Sequence, residues 1–124
     1  MTNLRVALAQ LNPTVGDLAG NSELVLAACR EASEAGAALV AFPEMVLTGY
    51  PIEDLALRRS FQQASVTATQ RIAAILDDEG LGDLCVILGT LAIGDEQPQN
   101  AAAVLRSGAV EATYVKHHLP NYGV

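Results

Sequence analysis

The chain has 124 residues, 51% of them apolar, and a formal net charge of −7 from 14 acidic and seven basic side chains. With no basic cluster longer than Arg58-Arg59, it offers no footprint for a nucleic-acid backbone and no attraction to an anionic membrane surface. No apolar run approaches the roughly 18 to 20 residues that a membrane span needs. Residues 1–5 lack a signal peptide's basic region followed by a long apolar stretch, so a cytoplasmic protein is expected.

A chain of this size is one domain or part of one. Aromatic residues are 4% of it and tryptophan is absent, so Ala, Val, Leu and Ile must build the core. Residues 4–10 read as a first strand, apolar and β-branched enough to be central. Residues 12–20 are a loop rich in Gly, Pro, Asn and Asp. Asn21 is a plausible N-cap for a helix running to about Ala35, with Leu24, Ala27, Ala28, Glu31 and Ala35 marking an apolar face. Gly36 suits the helix C-cap. The run Ala37-Ala38-Leu39-Val40-Ala41-Phe42 reads as a buried strand, because it is short and free of polar residues. Strand, helix, strand in that order predicts a parallel pair with a right-handed crossover.

Residues 53–59 suggest a short helix and residues 61–78 a longer one, with Val66, Ile72, Ile75 and Leu76 available for burial. Residues 84–90 form a third buried strand. Residues 100–106 and 109–116 flank Ser107-Gly108, a two-residue hairpin signal. Cys29, in a helical stretch, and Cys85, in an apolar strand, make no CxxC and no metal spacing, and both read as buried thiols. His117-His118 is a poor metal pair, because adjacent side chains on an extended segment point opposite ways. The glycines form no dinucleotide or phosphate loop.

Two segments carry the chemistry. Pro43 cannot donate to a strand ladder, so the second strand stops there and delivers Glu44 to its carboxyl end. In open α/β sheets, ligands bind outside those ends. A carboxylate partly desolvated there can serve as a general base, because burial raises its pKa towards neutrality. The segment Thr48-Gly49-Tyr50-Pro51-Ile52-Glu53-Asp54-Leu55 follows. Near the end of the chain, Tyr114-Val115-Lys116-His117-His118-Leu119-Pro120-Asn121-Tyr122-Gly123-Val124 places a lysine after another strand. Asn100, at a strand start, reads as structural.

Together, Phe42-Pro43-Glu44, residues 48–55 and residues 116–124 resemble the nitrilase superfamily, and more narrowly the glutaminase domain of glutamine-dependent NAD synthetases. The opening Val6-Ala7-Leu8-Ala9-Gln10-Leu11-Asn12-Pro13-Thr14-Val15-Gly16-Asp17 is similar to the first strand and loop of that branch. The resemblance implies an α/β fold, the α-β-β-α four-layer sandwich, of which residues 1–124 form about the first half. Half of such a sandwich leaves one sheet face uncovered, so the segment is expected to fold poorly alone.

By the same resemblance, a cysteine thiolate attacks the glutamine carboxamide and ammonia leaves. Glu44 takes the thiol proton, passes one to the ammonia and then activates water. Lys116 stabilises the tetrahedral oxyanion, and Tyr50 and Tyr122 line the glutamine pocket. The family's cysteine lies beyond the lysine, past Val124, and neither Cys29 nor Cys85 stands at its position. The resemblance therefore implies an amino-terminal portion that is inactive alone. ATP, magnesium and nicotinic acid adenine dinucleotide belong to a separate synthetase domain, and the family forms homo-oligomers. A free-standing nitrilase-family amidase and a non-catalytic interaction module remain as alternative readings.

Overall fold

The computed structural model describes residues 2–119. The elements in chain order are strand β1 (Val6–Leu8), helix α1 (Leu18–Glu34), strand β2 (Leu39–Ala41), a 3-10 turn (Glu53–Leu57), helix α2 (Arg59–Asp78) and strands β3 (Cys85–Ile93), β4 (Pro98–Arg106) and β5 (Ala109–Val115). The strands form one sheet in the order β1-β2-β3-β4-β5. β1-β2 and β2-β3 pair parallel, and β3-β4 and β4-β5 pair antiparallel, so β4 alone runs against the other four. The two helical crossovers and the β4-β5 hairpin are the α/β pattern expected from the sequence, and β3-β4 forms a further hairpin across residues 94–97.

Both helices lie on one face of this sheet. Val25, Leu26, Cys29 and Ala32 of α1 and Ile72, Ala73 and Leu76 of α2 share a core with Val40, Val86, Leu88, Ala103 and Leu105. Side chains alternate across a strand, so the other face carries the intervening residues. There Leu8, Ala41, Ile87, Val104 and Ala112 stand in register as one row across all five strands. Leu8 is 75% exposed, and the other four are only half-buried. One covered and one open sheet face make two layers, half of the expected four-layer sandwich. No helix among the described residues is long and apolar enough to cross a membrane.

Several local expectations are corrected. The first strand is an outer strand of the described sheet, and Val6 and Leu8 are exposed. Its apolar content reflects the open face and not a central place in the sheet. Helix α1 begins three residues before Asn21 and is capped by Asp17, whose carboxylate accepts from the Gly20 N–H at 2.9 Å. Its buried face is Val25, Leu26, Cys29 and Ala32, while Leu24 is 40% exposed. Both series keep three- and four-residue spacing, and it is packing against the sheet that selects Val25, Leu26, Cys29 and Ala32. Cys29 is buried but Cys85 only half so, because Cys85 points to the open face.

Asn21 is fully buried and ties two loops together. Its side chain accepts from the Thr14 N–H, donates to the Thr14 carbonyl and donates to the Leu47 carbonyl, all within 2.9 Å. Gly49 completes this seam with φ +77. A Cβ there would lie 2.6 Å from Val15 Cα, so only glycine lets loop 12–17 and loop 42–50 touch.

Helix α2 also grips the sheet through polar contacts. Ser65 and Thr69 each lie 3.1 Å from the Thr90 hydroxyl. All three are buried, and the mutual hydrogen bonds offset their desolvation.

Candidate active site

Strand β2 ends at Ala41, although Phe42 still donates to the Ile87 carbonyl at 3.0 Å. Pro43 then turns the chain out of the sheet. The backbone of residues 43–45 crosses β3 at Gly89. A Cβ on Gly89 would meet the Pro43 carbonyl and approach Met45 N to 2.5 Å. The bare glycine thus opens a passage through which Glu44 reaches past β3 towards β4 and β5. Met45, with φ 55, closes the turn, and its side chain packs with Ile52 and Leu91 in a second small core.

Glu44 meets two donors. Lys116 Nζ lies 2.7 Å from Glu44 Oε1, and Asn100 Nδ2 donates to the same oxygen at 2.5 Å. Lys116 follows directly on β5, and its backbone N–H donates to the Asn100 carbonyl at 2.9 Å. The end of β2, the start of β4 and the end of β5 lie on the same edge of the sheet. This is the carboxyl edge of the parallel strands, where ligands bind in α/β sheets.

The electrostatics differ from the expectation for Glu44. The hydrogen bond from Lys116, followed by that from Asn100, holds its carboxyl below the usual value of 4.5. The side chain is 51% exposed, so desolvation is too weak to raise it, and donors to the charged form win. Glu44 is therefore an ionised proton acceptor at neutral pH.

Of the residues marked in the sequence, the structure joins Glu44 and Lys116. Tyr50 lies on the same loop as Glu44 and is 55% exposed. Tyr122 and Asn121 fall outside the described residues. His117 and His118 are exposed. Among the described residues, no group of three His, Cys, Asp or Glu side chains is placed to hold a metal ion. Burial pushes the Cys29 thiol up to about 12, so Cys29 keeps its proton and cannot act as a thiolate. Asn100 is the residue that the sequence reading passed over. A regular hairpin counted from Ser107-Gly108 would set it against Val115, so its place beside Lys116 depends on the register shift between Val104 and Leu105.

The carbon-nitrogen hydrolase family model matches residues 5–123. The chain belongs to the carbon-nitrogen hydrolase family. The glutamine-dependent NAD(+) synthetase of Thermotoga maritima is 44% identical over 124 residues, which are 100% of this chain and 21% of that protein. The crystal structure of a glutamine-dependent NAD(+) synthetase from Cytophaga hutchinsonii superposes with a TM-score of 0.88 at 28% identity, over 99% of this chain and 20% of that one. A variant of the amidase from Nesterenkonia sp. AN1, carrying acrylamide on its active-site cysteine, gives a TM-score of 0.79 at 25% identity, over 96% of this chain and 46% of that one. The chain thus spans about a fifth of the length of the NAD synthetases it matches. Those two likenesses support a nitrilase-type architecture for the five-stranded sheet and its two helices.

Proposed function

We propose that residues 1–124 are the amino-terminal portion of a glutamine amidohydrolase domain that supplies ammonia within a glutamine-dependent NAD synthetase. The observation that carries this reading is the contact of Lys116 Nζ with Glu44 Oε1 at 2.7 Å on the carboxyl edge of the sheet. An ionised carboxylate beside a fixed ammonium is what thiol-based amide hydrolysis asks of its non-nucleophilic partners. The thiol comes from a cysteine beyond residue 124. Glu44 removes its proton as it attacks the glutamine carboxamide carbon, and Lys116 faces the oxyanion that develops. Ammonia leaves with the proton returned by Glu44. The thioester then yields to water that Glu44 activates, releasing glutamate. Tyr50 and Tyr122 serve the glutamine pocket.

The identity of 44% to an NAD synthetase over the whole chain, together with a TM-score of 0.88 to another against 0.79 to an amidase, favours the synthetase branch over a free-standing amidase. In that reading a synthetase domain outside this segment consumes the ammonia. It uses ATP and magnesium to activate nicotinic acid adenine dinucleotide, and the enzyme acts as a ligase in the cytoplasm, assembled as a homo-oligomer. The open row of Leu8, Ala41, Ile87, Val104 and Ala112 fits against the second sheet of the same domain.

The test uses the full-length enzyme. Glu44→Gln and Lys116→Ala should each abolish NAD formation from glutamine while leaving NAD formation from free ammonia intact. Normal glutamine turnover in either variant would overturn the assignment.

A further inference from the structure

Asn100 touches both members of the Glu44–Lys116 pair in different ways. Its side-chain amide donates to Glu44 Oε1, and its backbone carbonyl accepts from the Lys116 N–H. The Lys116 ammonium donates to that same Oε1. A residue of β4, a residue just past β5 and a loop residue thus close a small ring of hydrogen bonds. Both side-chain donors fall on one carboxylate oxygen, and Oε2 receives neither.

We infer that Asn100 is a positioning residue that locks Glu44 against Lys116 and leaves Glu44 Oε2 as the oxygen that exchanges protons with the thiol, ammonia and water. This rests on the glutaminase reading above. An amide donor suits the task better than a second cation. It fixes the carboxylate plane through a directional hydrogen bond and adds no second charge beside it. Without it, Glu44 would swing about the single Lys116 contact and present either oxygen. A misplaced reacting group costs rate steeply even when the chemistry is intact. The amide also favours the charged carboxylate, so its loss moves Glu44 towards the ordinary glutamate value.

The experiment compares Asn100→Leu, close in size but without a donor, with Asn100→Gln, which keeps the amide. The full-length enzyme is used, with both glutamine and free ammonia as nitrogen sources. For Asn100→Leu, the glutamine-dependent kcat/KM should fall about 10- to 100-fold, mostly in kcat. The acid limb of its pH profile should move to higher pH, and the ammonia-dependent rate should stay unchanged. Asn100→Gln should recover part of the loss and restore the limb. If Asn100→Leu does not fold, Asn100→Ser carries the same test, its hydroxyl being too short to span the gap.

An unchanged kcat/KM overturns the proposal. So does a loss of rate with no movement of the acid limb, because a merely structural asparagine gives that pattern. Glu44→Gln, run in parallel, separates the two levels. If it keeps full glutaminase activity, the glutaminase reading itself fails. If it is inactive while Asn100→Leu is normal, only the role of Asn100 fails.

Discussion

Lys116 faces Asn100 because Glu111 is bulged out of the hairpin. From the turn, Arg106 pairs with Ala109 and Leu105 with Val110, but Val104 then pairs with Ala112. Glu111 is the skipped residue. A regular hairpin would set Asn100 against Val115 and turn the Lys116 side chain to the other face, since one residue of slip inverts a strand. Bulges next to active sites commonly re-aim a side chain in this way. Deleting Glu111 from the full-length enzyme should therefore remove glutamine-dependent activity by two orders of magnitude or more, while ammonia-dependent synthesis persists. Retained glutaminase activity in the deletion variant would show that the register is not what places Lys116.

The ionisation of Glu44 gives a second test. Lys116, and after it Asn100, lowers its pKa, so neutralising Lys116 as Lys116→Met should raise it. Carboxyl carbon NMR would follow the titration directly. In the native protein Glu44 should titrate below the ordinary 4.5, and in Lys116→Met it should move up towards it. Because the folded-state pKa is the lower one, its stabilising effect is present above the unfolded value and is lost as pH falls through the folded value. The contribution is small, since half of the side chain is exposed to solvent. A Glu44 titration unmoved by Lys116→Met would contradict the contact.

Gly89 should tolerate no side chain. An added Cβ meets the Pro43 carbonyl and Met45 N, so Gly89→Ala must push the Glu44 turn off β3. Glutamine-dependent kcat should drop about 100-fold, and the ammonia-dependent rate should be spared. Equal activity of Gly89→Ala and the parent with glutamine would mean that the turn has room to yield.

Asn21 is expected to matter for stability and not for chemistry. Asn21→Ala leaves the buried Leu47 carbonyl without its donor and unties Thr14. The cost should be roughly 2 to 3 kcal/mol. Denaturant unfolding of the complete hydrolase domain would measure it, and a change below about 0.5 kcal/mol would contradict the bridging role.

Residues 1–124 expressed alone should be poorly soluble, because the row from Leu8 to Ala112 presents an apolar sheet face to water. Thermal unfolding and sedimentation would decide the point. A sharp, cooperative transition from a monomer would show that the face needs no cover.

Composition, patterning and motif by themselves determined the class of this protein. The apolar run that ends at Phe42-Pro43-Glu44, the Ser107-Gly108 turn and the lysine after the last strand were enough for an α/β order and to single out Glu44 and Lys116, which meet in the structure. Those features are local, and local propensity and spacing record them. The start of α1 differs from the expectation because Asp17 caps the helix, while Asn21 turns into the buried seam with Leu47, a long-range contact that spacing does not record. The marginal position of β1 could not be read either, since strand order depends on long-range pairing. Only the tertiary structure decided that Asn100 joins Glu44 and Lys116. That contact requires a loop crossing at Gly89 and a one-residue bulge at Glu111, two geometric events at distant points of the chain. It also fixed the sign of the Glu44 shift, which follows from which donors reach the carboxylate and how much water remains around it.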